Sequence, residues 1–297
     1  LPVYELAALG AAICWALTGL IAAPASAHLG PFAFNFYRQS LVALILGVIV
    51  WSAGLWQGVT AAQLAALAVS GVIGIFVGDT TLYLAMNRLG PRRAGALFAL
   101  NAPMAAVLGW GFLGETLSLA GWAGVILCAA GVTIAVLGRA GRGGSHAYEA
   151  VHGNIWIGMG FGLASGLGQA LGSLIARPVM AQGFDPVAGT LIRISCAVLV
   201  LAAVMASPLK AVRQRGPVTG PVFLRIAGSG IMAMVIGMSL LLFALQGGKV
   251  GIVSTLSALS PVVILPALWL VTGDRPSPTS WIGSLIAVAG MALIFLR

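Results

Sequence analysis

The sequence predicts an all-α integral membrane protein of ten transmembrane helices in two inverted five-helix repeats. Three observations carry that prediction: a shortage of charge, a succession of long apolar runs, and an internal match between the halves. Fifteen Lys and Arg and six Asp and Glu make up only 7% of the 297 residues, while 60% are hydrophobic. An ordinary soluble domain carries about 25% charged residues, so this chain cannot coat a 30 kDa globule in water, and lipid must replace water around most of it. Disorder, a disulfide scaffold and a soluble dinucleotide-binding enzyme are excluded. Cys14, Cys128 and Cys196 lie in separate apolar runs without a C-x-x-C pair and read as small core residues. The net charge of +9 is scattered over short connectors. With no basic helix or aromatic-basic stripe, the expected partner is the lipid bilayer and not nucleic acid.

Crossing about 30 Å of hydrocarbon takes about 20 residues in a helix. Ten runs qualify: 5–24, 31–53, 63–86, 92–113, 119–138, 154–176, 186–206, 221–246, 249–271 and 279–296. The first lacks the basic n-region of a secretory signal and has a counterpart in the second half, so it is expected to stay as a helix; it carries Trp15 and Thr18 at mid-depth. The second holds Arg38 seven residues from its start. The third places Phe76, Asp79, Thr80, Tyr83 and Asn87 on one helical face, at spacings of three and four. Phe98 and Asn101 stand one turn apart in the fourth, which also contains Pro103. Glu115 precedes the fifth.

Residues 139–152, RAGRGGSHAYEAVH, read as a solvated connector between a half spanning 1–138 and another spanning 153–297. The sixth run carries Ser165, Gln169 and Ser173 at i, i+4 spacing, with a ladder of Gly158, Gly162 and Gly166 suited to close helix packing. Arg193 lies in the seventh. In the ninth, Ser254, Thr255, Ser257 and Ser260 cluster beside Pro261 and Pro266. Seven of the tryptophans, Trp51, Trp56, Trp110, Trp122, Trp156, Trp269 and Trp281, fall near run ends, where an interfacial belt expects them.

The halves align with an offset drifting from 154 to 159. Leu20-Ile21-Ala22 and Pro24 match Leu174-Ile175-Ala176 and Pro178; Pro31 and Arg38 match Pro186 and Arg193. Ser70-Gly71 and Gly78 match Ser229-Gly230 and Gly237, Pro103 matches Pro261, and Trp122 and Gly131 match Trp281 and Gly290. Five spans per half is an odd number, so the second half enters the membrane from the opposite side. Inverted repeats of this kind are a common way to build a secondary transporter, with the site at the interface between them.

Charge inside a span needs a reason, because hydrocarbon penalises it by about 2.5–3.5 kcal/mol even on lenient scales. At 1.5 Å per residue, Arg38 and Asp79 lie about 10 Å below the same surface, which predicts an ion pair. The functional alternative makes Asp79 a proton carrier or an anchor for a substrate ammonium. Met238 occupies the position matching Asp79, so Arg193 snorkels, caps helix carbonyls or meets a substrate carboxylate. The equivalence of Arg38 and Arg193 points to a shared structural role. Pro103 and Pro261 deprive the carbonyls of Ala99 and Ser257 of their helical donors, and such freed carbonyls either line a cavity beside a hinge or bond the neighbouring hydroxyls. Trp15, Thr18, Phe76, Asp79, Tyr83, Phe98, Asn101, Gln169 and Ser257 are the candidate cavity residues. Gly166-Leu-Gly168 and its neighbours do not complete a G-x-G-x-x-G fingerprint, no strand precedes them, and the histidines lie in connectors, so no cofactor, metal site or enzyme chemistry is expected.

Arg38 and Arg193, Pro103 followed by Gly114-Glu115 and Gly121-Trp122, and the segment NAPMAAVLGWGFLGETLSLAGWAGVILCAAGV resemble the EamA family of the drug/metabolite transporter superfamily. The likeness covers essentially the whole chain, with Gly273-Asp274 replacing Gly-Glu in the second half; within the family it is nearest to the YddG-type amino-acid exporters. The resemblance implies a monomeric exporter of small metabolites in the bacterial inner membrane. Aromatic or neutral amino acids are the expected substrates, moved by alternating access either as uniport or with Asp79 coupling protons. Other amphiphilic metabolites or drugs, phosphorylated sugars or nucleotide sugars, and a channel are the alternatives. Glu115, at a helix N-terminus, is expected to cap the fifth helix. Connectors following odd-numbered spans carry nine basic residues against three on the other side, which places the termini outside by the positive-inside rule, whereas the family resemblance implies cytoplasmic termini.

Overall fold

A computed structural model describes residues 2–137, 153–260, 262–263 and 277–295. Every regular element among them is helical. The first half holds α1 (Val3–Leu29), α2 (Pro31–Ser52), α3 (Ala61–Leu89), α4 (Pro91–Ala99), α5 (Asn101–Leu113) and α6 (Leu119–Leu137). The second holds α7 (Ile155–Ala181), α8 (Pro186–Met205), α9 (Gly220–Gly247), α10 (Val250–Ser257) and α11 (Pro278–Phe295). Among the described residues six segments are long and apolar enough to cross a membrane, and α1 makes a seventh if its two arms, bent by 50°, are one span. The expected connector 139–152 and most of the ninth run, including Pro261, Pro266 and Trp269, lie outside the described residues.

Local chemistry explains the boundaries. Thr60 and Gln63 close a reciprocal capping box at the start of α3, and the Asp185 carboxylate accepts from the amides of Val187 and Ala188, both at 2.9 Å, to start α8. At the α1–α2 and α3–α4 corners, Gly30 and Gly90 take φ values of 88° and 81° and are each followed by a proline. Glycine alone adopts that backbone without strain, and proline at the first helical position lacks only an N–H the helix does not use. The helix α1 is longer than the expected 5–24 because Pro24 bends it rather than ending it: proline withholds the donor from the carbonyl four residues earlier, where the bend falls. The expected fourth span runs as Arg93–Leu113 through an irregular turn at Leu100, and Pro103 sits third after that turn, where its missing N–H is harmless.

The halves interlock with matching contacts. The first helix of each half packs on the third of the other, α1 on α9 and α7 on α3, while α2 packs on α8 and α6 on α11. Small residues permit these approaches. A Cβ on Gly71 would collide with the Arg193 carbonyl oxygen, and one on Gly131 would collide with the Ala287 nitrogen. Both third helices also widen into a π turn, Val72–Val77 in α3 and Ile231–Met238 in α9. Such turns are rare and tend to mark functional sites.

Gly131→Leu would force α6 off α11 and overpack the contact, a cost of about 1–3 kcal/mol. It should lower the detergent melting temperature and the monodisperse fraction, whereas Gly111→Leu, where a side chain meets nothing within 4 Å, should leave both unchanged.

Candidate functional site

The buried charges are built onto α2, α3 and α8. Arg38 is 1% exposed and its Nη2 lies 2.5 Å from Oδ2 of Asp79. Gln39 Nε2 donates to the same oxygen at 3.1 Å, and Asn35 Oδ1 accepts from both Arg38 Nη2 and Gln39 Nε2 at 3.3 Å. Asn35 Nδ2 donates to Thr80 Oγ1 at 3.0 Å. The guanidinium also lies over the rings of Phe34 and Tyr83, which meet edge to face at 5.0 Å. The polar face of the third span thus closes on α2. Asp79, Thr80 and Tyr83 are held by protein, and Asn87 Nδ2 reaches the Ser26 carbonyl at 3.4 Å. Asn35 and Gln39 were missing from the expected site, although they share one face of the second span with Arg38 at spacings of three and four.

Arg193 does not share this arrangement. It is fully buried, and its Nη1 donates to the thioether of Met238 at 3.2 Å. The guanidinium therefore reaches the position that matches Asp79, but finds a weak acceptor there. Nε and Nη2 of Arg193 have no hydrogen-bond partner among the described residues. The two equivalent arginines differ in their surroundings: Asn35, Gln39, Asp79 and Tyr83 around Arg38 are matched by Thr190, Ile194, Met238 and Leu242.

A second cluster joins the halves. Trp15 Nε1 donates to the Ala233 carbonyl, in the π turn of α9, at 3.0 Å, and the indole meets Phe98 edge to face at 6.4 Å. Asn101 Nδ2 donates to the Phe98 carbonyl at 2.8 Å. Gly166 of α7 packs against the Phe98 carbonyl and the Asn101 nitrogen, which puts buried Gln169 one turn further along α7. Asn101 Oδ1 in this cluster, Ser165 Oγ and Ser173 Oγ on α7, and Ser254 Oγ on α10 are buried without a hydrogen-bond partner among the described residues.

The remaining candidates bond within their own helices or pack on apolar neighbours. Thr18 bonds the Cys14 carbonyl of its own helix, and Ser257 bonds that of Ser254. Ser260 donates to the Ser257 carbonyl at 3.1 Å. Phe76 packs on the core from the π turn of α3, and Pro103 lines an open apolar groove between α5 and α7. No three His, Cys, Asp or Glu side chains converge to hold a metal among the described residues.

Glu115 corrects an expectation. It caps α10 and not the fifth helix: its Oε2 accepts from the Val250 amide at 2.7 Å, and Oε1 lies 3.4 Å from Arg177 Nε. Lys249 Nζ donates to the Thr116 carbonyl beside it. Left-handed Gly114 turns the chain so that Glu115 points across to the other half, and Ser118 Oγ takes over the capping of α6 at Gly121. Burial raises the Glu115 carboxyl above the ordinary glutamate range, against the opposing pull of the Val250 amide, Arg177 and Lys249.

Fold and site together define a multi-pass membrane protein whose two halves are joined by buried polar side chains. The chain belongs to the EamA-like transporter family, whose profile matches residues 3–137 and again 156–296. It is a membrane transporter of the drug/metabolite type. One protein of known crystal structure aligns over 99% of this chain and 96% of its own with a TM-score of 0.75 at 21% identity, a likeness of fold alone. No curated protein matches the chain.

Breaking a buried pair by removing one partner costs about 3–5 kcal/mol, because the other charge is left uncompensated. Asp79→Leu should therefore lower the detergent melting temperature strongly, and the double variant Arg38→Met/Asp79→Leu should recover most of the loss. Equal stability of the single variant and the parent would mean that the pair holds nothing together.

Proposed function

We propose that this protein exports small metabolites across the bacterial inner membrane by alternating access, with neutral or aromatic amino acids as substrates, as in YddG-type exporters. In this reading ten spans form two five-helix halves of opposite orientation that rock about the layer between them. The observation that carries it is the set of buried polar atoms left without partners at Asn101, Ser165, Ser173 and Ser254, contributed by both halves. Buried polar groups are nearly always hydrogen-bonded, so this set is explained if substrate or water completes it during the transport cycle. Trp15 and Phe98, in edge-to-face contact, supply an apolar wall for a side chain.

Glu115 supports the same reading. Its bonds to Arg177 and Val250 tie the halves together at one end of the bundle, so opening at that end requires the clamp to part. Since Asp79 is bonded to Arg38 and Gln39, uniport down the substrate gradient is the simpler mechanism.

Proteoliposomes preloaded with unlabelled amino acids should accumulate labelled threonine, methionine or phenylalanine by counterflow. Asn101→Leu should weaken exchange without loss of folded protein. Absence of trans-stimulation for every amino acid would reject that substrate class. An Asp79→Asn variant that still exchanges but no longer responds to an imposed pH gradient would replace uniport with proton coupling.

A further inference from the structure

The guanidinium of Arg193 keeps two nitrogens without a hydrogen-bond partner and has no acid bonded to it among the described residues. Its Nη1 is spent on a thioether, while Nε and Nη2 are buried without partners. Those two nitrogens present parallel N–H groups along one edge of the guanidinium, the fork that a carboxylate accepts with both oxygens. One glycine from each half makes room for the guanidinium itself: a Cβ on Gly74 would lie 2.8 Å from Nη2, and one on Gly172 would lie 3.2 Å from it. Next to Gly172 in α7 stands Ser173, whose buried hydroxyl also lacks a partner.

Charge points the same way. Asp79 is near enough to interact electrostatically with Arg193, yet its Oδ2 already accepts from Arg38 and Gln39. Arg38 and Asp79 neutralise one another, so Arg193 leaves this layer with one uncompensated positive charge. An isolated buried cation is costly, and an anion seated on it relieves the cost.

We propose that the Nε–Nη2 edge of Arg193 is a monovalent-anion subsite, filled by the carboxylate of the transported substrate or, in its absence, by a small inorganic anion. The assignment rests on the transport reading only for its first occupant. Met238, on Nη1, leaves the charge of Arg193 uncompensated; an acid there would neutralise the guanidinium and remove its demand for an anion, as Asp79 does for Arg38.

The test is thermal stability of the purified full-length protein in detergent, at constant ionic strength, with gluconate replaced by chloride, acetate or methionine, and with methioninamide as the carboxylate-free control. Saturable stabilisation by acetate or methionine but not by methioninamide assigns the subsite to a carboxylate, and stabilisation by chloride alone assigns it to an inorganic ion. In either case Arg193→Lys, which keeps the charge but loses the fork, should weaken the response by roughly tenfold or more. Met238→Asp should abolish the response while raising stability in gluconate, an outcome that a misfolded variant cannot mimic. No saturable response to any anion, or an undiminished response in Met238→Asp, would overturn the proposal. Failure of amino-acid counterflow alongside a normal anion response would reject amino acids as substrates and leave the subsite standing.

Discussion

Hydrocarbon offers no hydrogen bond, so a polar group at membrane depth is satisfied by the protein or not at all. The rest of the structure is arranged around that constraint. Arg38 can be buried because Asp79, Asn35 and two aromatic rings surround it, and this network in turn dictates where α2 and α3 cross. The Ser70 hydroxyl donates to the Gly172 carbonyl at 2.6 Å, and the Trp15 indole to Ala233. Both bonds join one half to the other, so pairing of polar groups and assembly of the halves are a single event.

Close approach makes these bonds possible. Without a hydrophobic force between helices in lipid, association depends on packing and interhelical hydrogen bonds, and both need backbones near one another. Gly71 lies against the backbone of Arg193, and Gly230 against the side chains of Val42 and Arg38, so each third helix meets the opposite half's second helix at its arginine. The π turns begin immediately after these two glycines. A π turn accommodates an extra residue and rotates the remainder of the helix about its axis; in α3 it separates the face on α8 from the face that carries Asp79 to α2.

Much of this was legible in the sequence, where the signal was local or repeated. The Arg38–Asp79 pair followed from two depths counted along helices of known rise. The match of the halves followed from prolines, glycines and arginines in register, and it singled out Met238 before any distance was known. Contacts between residues far apart in the chain left no such trace. Nothing near Glu115 announces Val250 or Arg177, and its place at the start of a helix suggested the wrong helix to cap. The acceptor of Trp15 is a backbone carbonyl, which sequence does not distinguish, and the π turns sit in apolar runs with no pattern of their own. The polar face of the third span was read correctly as a face but not as one closed by α2, because Asn35 and Gln39 carry no charge and drew no attention beside Arg38.

The difference between Asp79 and Met238 carries a consequence for how such a molecule arises. Two identical subunits related by a twofold axis present every residue twice. An acid at this position would lock both arginines, and a methionine would strand both. Joining the copies in one polypeptide lifts that restriction, since either copy can then change alone. One arginine has become mortar between helices while its twin keeps an unspent charge, a division of labour closed to a symmetric pair.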